Sequence, residues 1–202
     1  MTHEFWYLSR AAGFTAYLLL AASVALGLGV QTRALDRVAR RFASFDLHRF
    51  TALLAIAFTL LHVYVLLGDR YYEWSIAALS LPFRSPYRPL AVTTGVLALY
   101  GTGVVAASFA LRRHIGFRGW RALHYSTFAI YAAATAHGLL AGTDSGEPWA
   151  FALYVAGAVP IAPLLGYRAL RAWRRPAVRK GRRHAGAAGA TGATGARAAE
   201  GR

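Results

Sequence analysis

The chain has 202 residues, of which 56% are hydrophobic and only 15% are charged, and its mean hydropathy is +0.36. This composition is too apolar for an ordinary water-soluble domain of this length, so it predicts an all-α integral membrane bundle. The net charge of +15 does not indicate a nucleic-acid partner, because the arginines stand in short runs between apolar segments and in the tail. Such runs are typical of the cytoplasmic loops of membrane proteins.

Cysteine is absent from the sequence, and Met1 is the only methionine. Disulfides, iron–sulfur clusters, thiolate ligands and covalent thioether attachment of a cofactor are therefore excluded. Because Met1 is the only methionine, a methionine axial ligand is excluded too. Any haem held by this chain would have to rely on histidine.

Five apolar segments predict five membrane-spanning helices, at about residues 5–30, 47–67, 89–111, 120–141 and 149–167. A cleaved secretory signal is the alternative for the first segment, but the segment is long and an arginine-rich stretch follows it. Residues 31–47 and 112–121 are basic and predict cytoplasmic loops, which places the N-terminus outside and the C-terminus inside.

The remaining segments agree with this topology. Residues 68–88 carry mixed charge and many aromatics, and their apolar part at 76–83 predicts a segment lying against the outer membrane surface. Residues 142–148 form an acidic turn, which suits the outer side. We therefore predict a membrane domain at residues 1–167 and a basic, low-complexity, disordered cytoplasmic tail at residues 168–202.

Two apolar segments each carry a histidine near both ends. His48 and His62 are 14 residues apart, and His124 and His137 are 13 apart, which corresponds to roughly 20 Å along a helix axis. Ionisable side chains at membrane depth usually mark a functional site. If the two helices lie side by side, His48 meets His124 near the inner face and His62 meets His137 near the outer face. Two opposed imidazoles suit a six-coordinate b haem, and two stacked haems would carry electrons across the bilayer.

The two spacings differ in helical phase. A step of 14 residues returns to within roughly 40° of the same helix face, whereas a step of 13 lands roughly 140° away. The helix with His124 and His137 must therefore bend, contain a π-type irregularity, or present its histidines from different sides. The spacing alone leaves these three alternatives open.

Both spacings, together with the sequence Trp120-Arg-x-x-His124 at the start of the second pair, resemble the ferric reductase-like transmembrane domain over about residues 5–167. That superfamily includes the ferric reductases, the NADPH oxidases and the haem-binding membrane subunit of the bacterial methionine sulfoxide reductase system. The resemblance implies an electron-transporting cytochrome b with two b haems. Their axial iron ligands would be His48, His62, His124 and His137.

The catalytic ferric reductases and oxidases add flavin- and nicotinamide-binding domains after the membrane part. Only about 35 residues follow the last predicted helix here, without a Gly-rich dinucleotide fingerprint, so we expect no flavin or NAD site in this chain. The resemblance then implies a partner-dependent oxidoreductase component in the plasma membrane of a bacterium. A separate flavin reductase or quinol would supply its electrons, and an acceptor at the outer face would receive them.

Three arginines are further candidate cofactor-binding residues. Arg10 lies near the outer end of the first helix, where it suits either a haem propionate or a snorkelling role at the interface. Arg49 and Arg121 have the same two interpretations at the inner face. The histidines also have simpler interpretations, as interfacial side chains for His48 and His124 and as interhelical hydrogen bonds for His62 and His137.

Two other functions use the same histidines. The first is a haem-free membrane scaffold or transporter in which the imidazoles relay protons, which predicts a colourless protein. The second is a quinol-oxidising di-haem subunit, which needs a quinone pocket that the sequence does not reveal. An optical spectrum separates the first from the haem hypothesis.

Overall fold

The computed structural model describes residues 4–32, 41–72 and 74–173. All the regular secondary structure in these residues is helical, as predicted. In chain order the helices are α1 (Glu4–Thr32), α2 (Arg41–Leu66), α3 (Ile76–Ser80), α4 (Pro89–Ala110), α5 (Arg112–Tyr125), α6 (Thr127–Ala141), α7 (Pro148–Ala158) and α8 (Ile161–Trp173).

Within the described residues, four helical segments are long and apolar enough to cross a membrane: Glu4–Thr32, Ala43–Leu66, Pro89–Ala110 and Pro148–Arg171. Each has at least 22 residues, and about 20 are needed to cross the hydrocarbon core. The prediction of a multi-pass membrane bundle is confirmed. Four of the five predicted spans meet this criterion.

The fifth predicted span, at residues 120–141, is not one continuous helix. It is divided at Ser126, whose φ of −63° and ψ of −12° close a tight turn. The Ser126 N–H donates to the Leu123 carbonyl at 3.0 Å, a three-residue step in place of the four-residue step of an α-helix. The break lies between His124 and His137, so the bend is the alternative that the structure contains.

The prediction of a basic loop at residues 112–121 is wrong, because α5 (Arg112–Tyr125) covers this stretch. Arginine and leucine have high helix propensity, and the only interruption is a kink at Gly116, with φ of 71°. The last predicted span is likewise divided, at residues 159–160 between α7 and α8. Pro160 lacks an N–H donor, and such residues break or kink a helix.

Two predicted features fall partly or wholly beyond the described residues. Helix α2 begins at Arg41, earlier than predicted, so only residues 33–40 of the first basic loop lie outside the described part. Residues 174–202 of the predicted tail also lie outside it, whereas residues 168–173, predicted as disordered, form the end of α8. The segment predicted at 76–83 begins with the short helix α3, which buries Ala78 and Leu79 and leaves Ile76 exposed.

Helix α1 packs along α2, and α4 packs along α6; α1 also contacts α6 and α7. Small side chains on α1 allow this close approach. A buried apolar cluster joins α1 to the start of α8 through Ala21, Val24, Leu28 and Ile161. The chain divides into two compact units, Met1–Leu165 and Gly166–Arg202, and all four histidines discussed above lie in the first.

Candidate functional site

The four histidines form two pairs of opposed rings. The ring centroids of His48 and His124 are 6.2 Å apart, with their planes at 81°. Those of His62 and His137 are 6.3 Å apart, with their planes at 73°. Helix α2 packs closely along neither α5, which carries His124, nor α6, which carries His137, so the imidazoles of each pair face each other across a gap. The pairing is the one that the sequence predicts.

Helix α1 holds both histidines of α2 by their Nδ1 atoms. The Nδ1 of His62 lies 2.8 Å from the carbonyl oxygen of Ser9, and that of His48 lies 2.8 Å from the carbonyl oxygen of Ser23. A carbonyl only accepts hydrogen bonds, so Nδ1 must carry the proton in each ring. The lone pair of Nε2 is then free to bind a metal.

Two glycines of α1 make room for these imidazoles. A Cβ atom on Gly13 would lie 3.1 Å from Nδ1 of His62, and one on Gly27 would lie 3.2 Å from Cε1 of His48. Both distances are tighter than ordinary contacts. Each histidine of α2 therefore rests on a glycine of α1.

Sequence reasoning missed these α1 residues, although the signal was present. Serine and glycine recur as Ser9-x3-Gly13 and again 14 residues later, from Ser23. The same interval separates His48 from His62 on the antiparallel helix α2. An equal interval on two adjacent antiparallel helices indicates two equivalent contacts between them.

Helix α4 holds His137 in the same way. The Nδ1 of His137 donates to the carbonyl oxygen of Ala91 at 3.0 Å, and a Cβ on Gly95 would lie 2.7 Å from that Nδ1. Ala91, whose carbonyl accepts the hydrogen bond, and Gly95 are again four positions apart, which places them on the same helix face.

His124 is held differently. Its ring stacks on Trp120, with centroids 5.2 Å apart and planes at 23°. Within the described residues no hydrogen bond holds this imidazole. Three of the four rings are therefore oriented by a backbone carbonyl, and the fourth by an aromatic ring on its own helix.

The ring separations suit a shared metal ion. Two imidazoles that bind one ion through Nε2, at metal–nitrogen distances of about 2.0–2.1 Å, have centroids about 6 Å apart. Among the described residues no group of three or more His, Cys, Asp and Glu side chains is placed to hold a metal. A set of only two protein ligands fits a metal whose other positions are filled by a macrocycle, as in haem.

A cavity of about 250 Å³ adjoins the pair formed by His62 and His137. Neither His48 nor His124 is among its lining residues. Helices α1, α2, α4, α6 and α7 all contribute to its wall, which is mostly apolar. Lining residues include Gly13, Tyr17, Leu20, Thr59, Gly95, Thr102, Ile130, Ala134 and Tyr154.

The end of this cavity near α3 carries polar groups. Arg10 forms an ion pair with Asp144, and its guanidinium lies 4.1 Å from the centroid of the Trp6 ring. Arg10 and Trp74 both line the cavity, and in the described part of the chain their buried Nε and Nε1 atoms have no acceptor. Buried N–H donors in proteins normally have a hydrogen-bond acceptor. These two donors are therefore available to an acceptor that the polypeptide does not supply. Arg10 therefore lines the same cavity as His62 and His137.

Tyrosines complete this end of the cavity. The rings of Tyr72 and Tyr87 lie 4.7 Å apart. Desolvation, followed by the neighbouring Tyr87 and Tyr71, raises the pKa of Tyr72. Its phenol therefore stays neutral and can donate a hydrogen bond.

The other two candidate arginines do not line the cavity. Arg49 is exposed on α2. Arg121 is also exposed and donates from Nη2 to the hydroxyl of Tyr125 at 2.8 Å. Of the three candidate arginines, the structure thus places Arg10 alone in the lining of the cavity.

The ion pair of Arg10 and Asp144 should stabilise the bundle, because their side chains are only 26% and 15% exposed. We expect Asp144→Asn to lower the free energy of unfolding by about 1–3 kcal/mol, since it leaves a largely buried guanidinium without its counter-ion. Thermal unfolding in detergent measures the change. Glu147→Gln, at an exposed position of the same loop, is the matched control. Equal melting temperatures for both variants would contradict a stabilising pair.

Comparison with known proteins identifies the family of this bundle. Residues 12–135 match the family model described as ferric reductase like transmembrane component. The match contains His48, His62 and His124 and ends two residues before His137. No curated protein and no solved structure matches the chain. Because the family match covers more than half of the sequence, the chain belongs to the ferric reductase-like transmembrane component family.

Proposed function

We propose that this membrane electron-transfer component holds two b haems and passes single electrons across the bilayer. His48 and His124 would ligate one haem iron, and His62 and His137 the other. The two sites are separated by roughly 20 Å along the helix axis. The chain would serve as the membrane subunit of a bacterial plasma-membrane oxidoreductase.

One observation carries this proposal: both histidine pairs have the same ring separation, 6.2 and 6.3 Å. Two independent pairs at the distance required for a shared ion are not needed for helix packing alone. A simple interhelical contact would also leave the orientation of each ring free. Instead, carbonyl oxygens of α1 and α4 hold three of the rings.

The residues around His62 and His137 fit the polar edge of a haem as well as its iron. A b haem carries two carboxylates on one edge, and charge-assisted hydrogen bonds to carboxylates are the strong ones. Arg10 and Trp74 supply N–H donors without acceptors in the described part of the chain. We infer that they hold propionate groups at this end of the cavity.

The protein's own contribution is to orient the ligands and exclude water. A carbonyl that accepts from Nδ1–H fixes the ring and raises the basicity of Nε2. The apolar cavity wall keeps the site at low dielectric. When bound, haem supplies a one-electron couple whose potential depends on its axial ligands and on the hydrogen bonds around them.

With two histidines on each iron, no position remains open for substrate. Electrons would therefore enter and leave through contacts at the protein surface. We propose a separate flavin reductase or quinol as the donor on one side of the membrane. An acceptor at the opposite face would receive the electrons.

Haem quantification tests the proposal. We expect the purified chain to contain two protohaems per polypeptide by the pyridine haemochrome assay, and a b-type reduced-minus-oxidised spectrum. A colourless protein that cannot be reconstituted with haem would contradict the proposal. It would favour the proton-relay alternative, although the Nδ1 atoms of His48, His62 and His137 bond to backbone carbonyls and not to one another.

A further inference from the structure

Helix α5 (Arg112–Tyr125) presents an exposed basic surface. Its arginines are Arg112, Arg113, Arg118 and Arg121, and all four are exposed. The sequence contains no aspartate or glutamate between Glu73 and Asp144. Among the described residues, no carboxylate pairs with any of these arginines. The positive charge of α5 is thus available to an external anion.

Aromatic and aliphatic side chains alternate with this charge. The guanidinium of Arg112 lies 5.5 Å from the Trp120 ring, and that of Arg121 lies 5.6 Å from the Phe117 ring. Phe117 is 59% exposed and Leu123 is 38% exposed. Arginine next to exposed aromatic and aliphatic groups is typical of a helix lying in the membrane interface.

The neighbouring helices place α5 at the boundary of the bilayer. Helix α4 has 22 residues, which corresponds to about 33 Å and is enough to cross the hydrocarbon core. Helix α5 begins two residues after α4 ends, and the turn at Ser126 leads into α6. A basic helix that follows directly on a membrane-spanning helix therefore lies near the lipid headgroups.

We propose that α5 binds the headgroups of anionic phospholipids through Arg118 and Arg121, with Arg112 and Arg113 adding charge. The bilayer supplies both parts of this environment, phosphate for the arginines and acyl chains for Phe117. An acidic water-soluble protein would match the charge alone. The exposed apolar groups therefore favour lipid as the occupant.

Bound lipid would also position His124. Arg121 precedes His124 by one turn, and Trp120 stacks on its ring at 5.2 Å. No carbonyl holds His124 within the described residues, in contrast to the other three histidines. This second consequence rests on the proposed function, whereas lipid binding itself does not.

A titration of the purified full-length chain, in uncharged detergent, with fluorescent phosphatidylglycerol tests the binding. Because each arginine near an anionic surface contributes about 1 kcal/mol, we expect the double variant R118Q/R121Q to bind about 30-fold more weakly. The variant R118K/R121K should retain most of the affinity, since it keeps the charge. Arg70 and Arg84 are exposed between α2 and α4, so R70Q/R84Q is the control with equal loss of charge.

Equal affinity for phosphatidylglycerol and phosphatidylcholine would overturn the proposal. Equal phosphatidylglycerol binding by R118Q/R121Q and the unchanged chain would also overturn it. If that variant then lost binding to an acidic protein, the surface would be assigned to a protein partner. The haem content is measured on the same samples. Lipid binding by a chain without haem would contradict only the proposed function. A haem-loaded chain that does not prefer phosphatidylglycerol would contradict only the lipid proposal.

Discussion

Replacing His62 and His137 together by alanine should leave one haem per polypeptide in place of two. On the proposed assignment, this substitution removes both of the protein's bonds to the iron at that site. The pair formed by His48 and His124 lies at the other end of α2 and on α5, so its haem should remain. The pyridine haemochrome assay gives the ratio of haem to protein, and the difference spectrum shows which component is lost.

The complementary variant, with His48 and His124 replaced by alanine, should lose the other component. His114 is exposed on α5 and belongs to neither pair, so His114→Ala controls for the loss of a histidine. Far-UV circular dichroism and size-exclusion chromatography check that each variant retains its helical fold. Full haem content in the folded His62/His137 double variant would exclude these two residues as ligands.

The membrane bundle and the pairing of the histidines were predictable because both depend on local pattern. Long apolar runs must form helices in a bilayer, since every backbone group has to be satisfied within the segment. The unequal intervals of 14 and 13 residues left three alternatives for the second helix: a bend, a π-type irregularity, or histidines presented from different sides. The structure divides this helix at Ser126, an outcome that helical phase alone could not distinguish from the other two.

The partners of the histidines were harder to predict because they come from other helices. Nothing near His62 in the sequence indicates that the carbonyl of Ser9 accepts its Nδ1–H. Similarly, the ion pair of Arg10 with Asp144 joins residues far apart in sequence. Only the repeated Ser-x3-Gly spacing on α1 carried a readable signal, and its meaning depends on the antiparallel packing of α1 and α2.

Helix α5 shows how a charge pattern can mislead about conformation. A run of arginines between two apolar segments predicted a cytoplasmic loop, whereas the structure has a helix there. The rule that places positive charge near the membrane concerns location and does not exclude a helix. Trp120 stacking on His124 depends on this helix, because the two side chains are four residues apart.

Gly95→Ala should weaken haem binding at the pair formed by His62 and His137 by about 10- to 100-fold, the usual effect of losing an outer-shell contact. The added Cβ would lie 2.7 Å from Nδ1 of His137 and 2.8 Å from its Cε1. The imidazole cannot move away from α4 while its Nδ1 remains hydrogen-bonded to the carbonyl oxygen of Ala91, which lies on α4 together with Gly95. The substitution therefore disturbs the ligand without removing it, and haem titration of the apoprotein measures the effect.

Two further glycines make this a graded test of steric contact. Gly103→Ala adds the same methyl group to α4 where nothing lies within 4 Å, so haem affinity should not change, and the helix should gain up to about 1 kcal/mol of propensity. Gly13→Ala meets His62 at 3.1 Å, which a small shift of the ring can relieve, so its effect should lie between the other two. If all three variants bound haem equally, close contact between these glycines and the imidazoles would have no part in holding the cofactor. A loss of haem affinity that decreases in the order Gly95, Gly13, Gly103 is expected only if α1 and α4 hold the imidazoles in place at the iron.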